Sequence, residues 1–206
     1  MPGSWRITLR NQLVVMVKEP HPGRVKTRLG RDIGMTRAAW WFRHQTTALL
    51  RRIRDPRWDL TLAVAPDSKG LASRIWPADL PRMAQGAGDL GDRMGRILRT
   101  MPPGPVAIIG ADIPAVRRAH IARAFTALGD HDAAFGPAPD GGYWLVGLKR
   151  TRAVPTCLFN GVRWSTEHAL ADTMSSLPDH SHAFIDTLDD VDTVEDLERL
   201  THRLSR

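Results

Sequence analysis

The sequence predicts an α/β fold: a three-layer α/β/α sandwich around a mainly parallel central sheet. Three observations carry this expectation. Short runs of β-branched and aliphatic residues, apolar on both faces, recur along the chain. Segments with helical apolar spacing lie between them, and no repeat, linker or low-complexity tract breaks the alternation. At 206 residues and 42% hydrophobic content, one well-buried domain spanning 1–206 is expected.

The elements follow in order. "QLVVMV" (12–17) reads as a buried strand. Residues 35–54 follow as a helix with Ala38, Phe42, Leu49 and Ile53 inward and Arg43, Arg51 and Arg52 toward solvent. "DLTLAVAP" (59–66) is a second strand, and "LGDRMGRILRTM" (90–101) a helix stopped by Pro102 and Pro103. "PVAIIGADIP" (105–114) is a third strand, residues 115–128 a helix, and "HDAAFGPAP" (131–139) and "YWLVGL" (143–148) two further strands. A helix over 165–177 has Ser165 or Thr166 as its expected N-cap. "AFIDTL" (183–188) gives a last strand, and 193–204 a capped final helix. In such sheets ligands bind outside the carboxyl ends of the strands. Four unusual segments fall there: the loop 18–30, Asp112, "PDGGY" (139–143) and "DDVDT" (189–193).

The formal net charge is +7, which admits nucleic acid, an anionic membrane or a phosphorylated small molecule as partner. Only four of the 29 cations are lysines, and the arginines are spread along the chain without an aromatic-interleaved stripe, so no nucleic-acid partner is expected. The apolar runs are far shorter than the roughly 20 residues a membrane-spanning helix needs. "MPGSWRITLR" has no continuous apolar stretch of the signal-peptide kind, and no membrane partner and a cytoplasmic location are expected. The single cysteine, Cys157, permits no internal disulfide, and no HExxH or GxSxG pattern is present. Cys157 is expected to be structural, and Trp40, Trp41, Trp58 and Trp76 to lie in the core.

Two motifs fail on their context. "GAGDLG" (86–91) matches the dinucleotide fingerprint GxGxxG, but "PADLPRMAQ" before it carries two prolines and no β-type run. A Gly loop leading into a helix, or a backbone contact to a base or ribose, accounts for it as well. "GRVKTRLG" offers the Lys26–Thr27 pair of a P-loop but has Val25 where that motif needs glycine. The chemistry of an anion cradle survives: Gly23 permits close backbone approach, and Lys18, Arg24, Lys26 and Arg28 can neutralise phosphate charge. The alternative is a solvated basic loop. Asp112 either caps the next helix or holds a hard cation such as Mg²⁺, which prefers one or two carboxylates plus phosphate oxygens. Asp190 or Asp192 could supply a second carboxylate, although "DVDT" is equally an N-cap cluster with Asp192 or Thr193 capping. "PDGGYW" is either a plain turn or a ligand wall ending in Tyr143.

Six segments, in order, carry a resemblance: "VMVKEPHPGRVKTRLG", "QGAGDLGDRM", "IIGADIP", "FGPAPDGGYWLVGL", "FNGVRWST" and "DVDTVEDL". Over roughly residues 12–200 the chain resembles a bacterial glycosyltransferase-like family of the nucleotide-diphospho-sugar transferase superfamily, which has the GT-A type fold. Its first and last motifs are also similar to 2-phospholactate guanylyltransferases and, more distantly, to molybdenum-cofactor guanylyltransferases. The resemblance implies a Mg²⁺-dependent (or Mn²⁺-dependent) transferase using a nucleotide or nucleotide-sugar donor and a small-molecule acceptor. Lys18 and the loop of Gly23, Arg24, Lys26, Thr27 and Arg28 would hold the phosphates, with Lys26 and Arg28 stabilising the leaving group. Gln85, Gly86 and Gly88 would lie near the base, Asp112 and Asp192 would ligate the metal, and Asp140, Gly141, Gly142, Tyr143, Trp164, Ser165 and Thr166 would shape the acceptor pocket. No DxD triplet stands at Asp112, and the N-terminal loop lacks the GxGxRM form of sugar nucleotidyltransferases. Glycosyl and nucleotidyl transfer both stay open, and a nicotinamide oxidoreductase, a nucleic-acid-binding module and a non-catalytic binding protein are the readings outside that class.

Overall fold

In the computed structural model, which describes residues 9–204, seven strands form one sheet in the order β3-β2-β1-β4-β6-β5-β7. The elements are β1 (Asn11–Lys18), α1 (Thr27–Ile33), α2 (Met35–Arg52), β2 (Trp58–Ala65), α3 (Asp67–Ala72), β3 (Arg82–Ala84) and α4 (Leu90–Thr100). Then come β4 (Val106–Gly110), α5 (Arg118–Asp130), β5 (Ala133–Pro137), β6 (Tyr143–Leu148), α6 (Ala169–Ser175), β7 (His182–Phe184) and α7 (Val194–Leu204). Only β6 runs against its neighbours; every other pairing is parallel, so the expected mainly parallel α/β sandwich is what the chain forms. No helix among the described residues is long and apolar enough to cross a membrane.

The both-faced apolar strands explain the layers. On β1, Leu13, Val15 and Val17 pack with Phe42 and Leu49 of α2 and Ile121 and Leu128 of α5, while Val14 packs with Met94, Ile97 and Leu98 of α4 on the opposite face. Alternate residues of a strand point to opposite faces, so a strand covered by helices on both sides must be apolar throughout. Registers such as Val15 with Leu62 and with Ile109 align β2, β1 and β4 so that their carboxyl ends share one edge. The reversed β6 pairs Leu145 with Ile109 and Tyr143 with Pro137. It therefore brings its first residue, Tyr143, to that same edge.

Several expectations need correction. The segment 18–30 is a loop only to Lys26, because Thr27 opens α1, whose Leu29 is buried. A three-residue edge strand, β3, does precede the Gly loop, pairing Arg82–Ala84 with β2 despite the prolines. The helix expected over 165–177 begins at Ala169 with His168 before it; Thr166 Oγ1 instead donates to Arg163 O, and Ser165 sits at φ 59. Trp40 is 61% exposed, whereas Trp58 and Trp76 are buried. Cys157 is exposed, its thiol turned to Ser176 O.

Arg52, expected in solvent, is half-buried and donates to Pro114 O at 2.9 Å and Val116 O at 2.7 Å. It ties α2 to the loop leaving β4. Hydrogen bonds from charged donors contribute about 1.5–3 kcal/mol, and 1 kcal/mol moves the midpoint of a domain of this size by about 2–4 °C. Arg52→Met is thus expected to lower the thermal midpoint by several degrees in scanning fluorimetry. Arg51→Met, on the exposed face, should leave it unmoved, and equal effects would contradict the assignment.

Candidate active site at the carboxyl edge

The basic loop is built by three local constraints. Glu19 N extends the ladder past β1 by donating to Ala65 O, and Arg24 N closes a turn on His21 O. Gly23 lies at φ 73, left-handed backbone that glycine adopts without cost. Val25, the residue that breaks the P-loop pattern, is buried in the core and pins the loop from below. Lys26 then takes left-handed backbone at φ 45, and its ammonium meets Asp112 Oδ2 at 2.6 Å and Asp192 Oδ1 at 2.5 Å. The Lys26 side chain is only 5% exposed; Arg28, largely in solvent, reaches Asp192 Oδ2 at 3.4 Å.

The carboxylates arrive from the middle of the chain and from near its end. β4 stops at Gly110, where a Cβ would come within 2.9 Å of Asp112 Oδ1. Val191 N donates to Asp112 O and docks the 189–193 segment against the β4 exit. Asp112, Asp190 and Asp192 each offer an oxygen, all within 4.8 Å of one another. Asp112 does not cap α5, whereas at α7 it is Thr193 of the two candidates that caps. α5 has Arg117 at its N-cap, and at α7 Asp196 accepts from the Asp192 and Thr193 amides while Thr193 Oγ1 accepts from Asp196 N. The carboxylate of Asp192 is therefore left to face Lys26.

Electrostatics follow from this crowding. Burial pushes the Asp190 carboxyl up, and the charges of Asp112 and Asp192 add to it, bringing it to about 6 against the opposing pull of Lys26. Burial pulls the Lys26 ammonium down, but the two carboxylates outweigh it and hold it above its ordinary value. Two carboxylates thus share one buried ammonium and a third, Asp190, lies beside them without pairing to it, which leaves the cluster short of positive charge.

Asp190 lines a small pocket with Val191 and Asp196, while Lys26, Asp112 and Asp192 form one wall of a larger cleft of about 570 Å³. Lys18, Arg24, Thr27 and Arg28 line it beside Asp112 and Asp192, and Met16, Leu90, Met94, Ile108 and Val146 give it an apolar bed. Arg93, on the first turn of α4, adds a cation that the sequence reading missed; its signal was its place in "DLGDRM", three residues after the helix start. Gly23, Gly86 and Gly88 do not line this cleft. Gln85 does, yet its side-chain amide is 2% exposed and donates to Val17 O and Ala63 O, stitching β1 to β2. The α4 N-terminus is filled by its own capping box: Asp92 N donates to Asp89 Oδ1 and Asp89 N to Asp92 Oδ2. A dinucleotide fingerprint places a pyrophosphate on such amides, and here two carboxylates occupy them.

Of the acceptor-pocket set, only Tyr143 lines the large cleft. The structure does bring the two halves of that set together. Gly141, at φ 83, lies so close to Glu167 that a Cβ would overlap its backbone, Leu170 N donates to Gly141 O, and the Tyr143 and Trp164 rings are 6.5 Å apart. Asp140 accepts from Gly142 N and tightens the turn. Ser165 and Thr166 follow Trp164 on the facing segment.

Residues 48–166 match the family described as "Uncharacterized protein conserved in bacteria (DUF2064)". The chain belongs to this family. No curated protein matches it significantly. A solved structure from Desulfovibrio desulfuricans G20, provisionally described as a nucleotide-diphospho-sugar transferase, superposes with a TM-score of 0.82 at 29% identity, over 93% of this chain and 86% of that one. The 4-diphosphocytidyl-2C-methyl-D-erythritol synthase of Anaerococcus prevotii DSM 20548 gives 0.58 at 11% identity, over 95% and 97%. Rv0371c of Mycobacterium tuberculosis H37Rv in complex with manganese gives 0.53 at 18% identity, over 93% and 98%. This member of DUF2064 therefore has the nucleotide-diphospho-sugar transferase fold.

The charge imbalance gives a test of the acidic cluster. In metal-free buffer at neutral pH, Asp190→Asn removes one of three mutually repelling groups. Discounted for partial exposure, the gain is on the order of 1 kcal/mol, so the thermal midpoint is expected to rise by about 2–4 °C. A fall in the midpoint would show that Asp190 is held by favourable contacts instead.

Proposed function

We propose that this protein is a divalent-metal-dependent transferase whose donor is a nucleotide or nucleotide-sugar. The observation that carries the reading is the meeting of a basic loop and a carboxylate trio at one sheet edge, beside a cleft with an apolar bed. The donor set fits Mg²⁺ or Mn²⁺: all three groups are hard oxygen ligands, and their charge is under-compensated. Asp112, Asp190 and Asp192 would hold the ion, which when bound supplies charge neutralisation to phosphate oxygens. The provisional description of the similar Desulfovibrio protein as a nucleotide-diphospho-sugar transferase and that of Rv0371c as a manganese complex support the reading.

The chain's own part is positioning and electrostatics, which carry most of phosphoryl and glycosyl transfer. Lys18, Arg24 and Arg28 orient the phosphates, with guanidiniums suited to bidentate grip. Lys26 and Arg28 stabilise the negative charge that develops on the leaving group. Met16, Met94, Ile108 and Val146 bed the nucleoside and exclude water. The turn of Asp140, Gly141, Gly142 and Tyr143, with Trp164, Ser165 and Thr166 packed against it, borders the acceptor.

A second reading is nucleotidyl transfer, in which the acceptor attacks the α-phosphorus and pyrophosphate leaves. It is favoured by the number of cations lining the cleft: five basic side chains (Lys18, Arg24, Lys26, Arg28 and Arg93) suit the charge of a triphosphate. Pyrophosphate release with each nucleoside triphosphate, against nucleoside diphosphate release with each nucleotide sugar, separates the two.

Calorimetry with Mn²⁺ and a panel of both donor types is expected to find at least one sub-millimolar ligand. Arg24→Met with Arg28→Met should weaken it at least tenfold, about 1.4 kcal/mol, with the circular-dichroism spectrum unchanged. Binding of no panel member, or full affinity in the double variant, contradicts the assignment.

A further inference from the structure

The Lys26 ammonium stands against two of the three carboxylates that would hold the metal. A magnesium-sized ion takes carboxylate oxygens at about 2.0–2.1 Å and demands near-ideal geometry. In the structure, Asp112 Oδ2 and Asp192 Oδ1 are both already engaged by the Lys26 ammonium, at 2.6 and 2.5 Å. Two of the three carboxylates in the cluster thus spend an oxygen on an internal cation. That cation is a compact point charge on a flexible four-carbon stem, able to move without backbone change. The backbone below it is fixed: Val25 is buried on one side and α1 begins on the other. The stem root is anchored, then, and the head has a choice of anions.

We propose that Lys26 is an exchangeable counter-ion: its ammonium neutralises Asp112 and Asp192 in the metal-free protein and vacates them when a divalent ion is bound, turning to the phosphates of the donor. The inference rests on the metal reading of the site. It adds that Lys26 competes with the ion in the absence of donor and cooperates with it in its presence. Arg28, the only other cation in contact with the cluster among the described residues, is exposed and 3.4 Å from Asp192, too loosely held to take that part. One divalent ion in place of one ammonium adds a positive charge to a cluster that lacks it. The free ammonium meanwhile stays beside the cleft lined by Lys18, Arg24 and Arg28.

Two measurements test this. Mn²⁺ affinity is measured by calorimetry without nucleotide for the wild type, Lys26→Met, Arg28→Met and Asp190→Asn. The exchange predicts that Lys26→Met binds Mn²⁺ about tenfold more tightly than wild type, with a clearly smaller gain for Arg28→Met and a loss for Asp190→Asn. The second measurement needs no variant. Amine acetylation of the wild-type protein is read by mass spectrometry, with exposed Lys69 as internal reference. Lys26 should be protected without metal, react at least fivefold faster in saturating Mn²⁺, and be protected again when a bound donor from the panel is added. If the wild type binds Mn²⁺ but Lys26 stays protected and Lys26→Met binds no tighter, the metal site stands and the exchange is overturned. If neither protein binds Mn²⁺, the metal reading itself fails and the exchange falls with it.

Discussion

One buried ammonium shared by two carboxylates ties the first loop of the chain to its last. Lys26 and Asp192 are 166 positions apart, and Asp112 joins them from the middle strand. A charge taken out of water costs several kcal/mol unless it is paired with good geometry, so this contact constrains everything around it. Val25 must be buried to hold the loop down, and Lys26 must take left-handed backbone. At Gly110 a Cβ would crowd Asp112 Oδ1, and Thr193 takes over the start of α7, leaving Asp192 for the site. Local features that look unrelated in the sequence are answers to one electrostatic demand.

The sheet supplies the stage. Parallel β2, β1 and β4 deliver their carboxyl ends to one edge, and the reversal of β6 delivers the first residue of an antiparallel strand to the same place. The buried Trp144, next along β6, donates its indole N–H to Asp186 O in the segment that leads to Asp190 and Asp192. The carboxylate trio is thus positioned by backbone and core contacts, while its own charges oppose the assembly. Such opposition is expected where a fold holds a site ready for a cation, since binding then relieves a cost already present in the folded state.

The central strands and long helices were legible in the sequence because burial on both faces leaves a dense apolar signature, as in "LVVMV" and "AIIG". The short elements were not. α1 and β3 span seven and three residues, too few for any periodicity, and exist because α2 and β2 receive them. Thr166 has the right chemistry for a cap, but the chain turns at Ser165 in left-handed backbone and the helix waits until Ala169. Arg52 and Trp40 exchanged their expected places for a similar reason: helical spacing says which residues share a face, not which carbonyls or open solvent that face will meet.

The site was legible as charge at strand ends, but there Lys26 was one of four cations and Asp192 one of two possible partners for Asp112, and the family resemblance is what singled them out. That they touch could not be read, because nothing local encodes a contact across 166 positions. If phosphates and a metal meet at this contact, anomalous scattering from crystals grown with Mn²⁺ and the best-binding nucleotide will place the ion between the carboxylates and the phosphates. An anomalous peak within ligand distance of both Asp112 and a donor phosphate is expected. A nucleotide bound in the cleft with no ion at the carboxylates, or an ion at the carboxylates with the phosphates elsewhere, would contradict it.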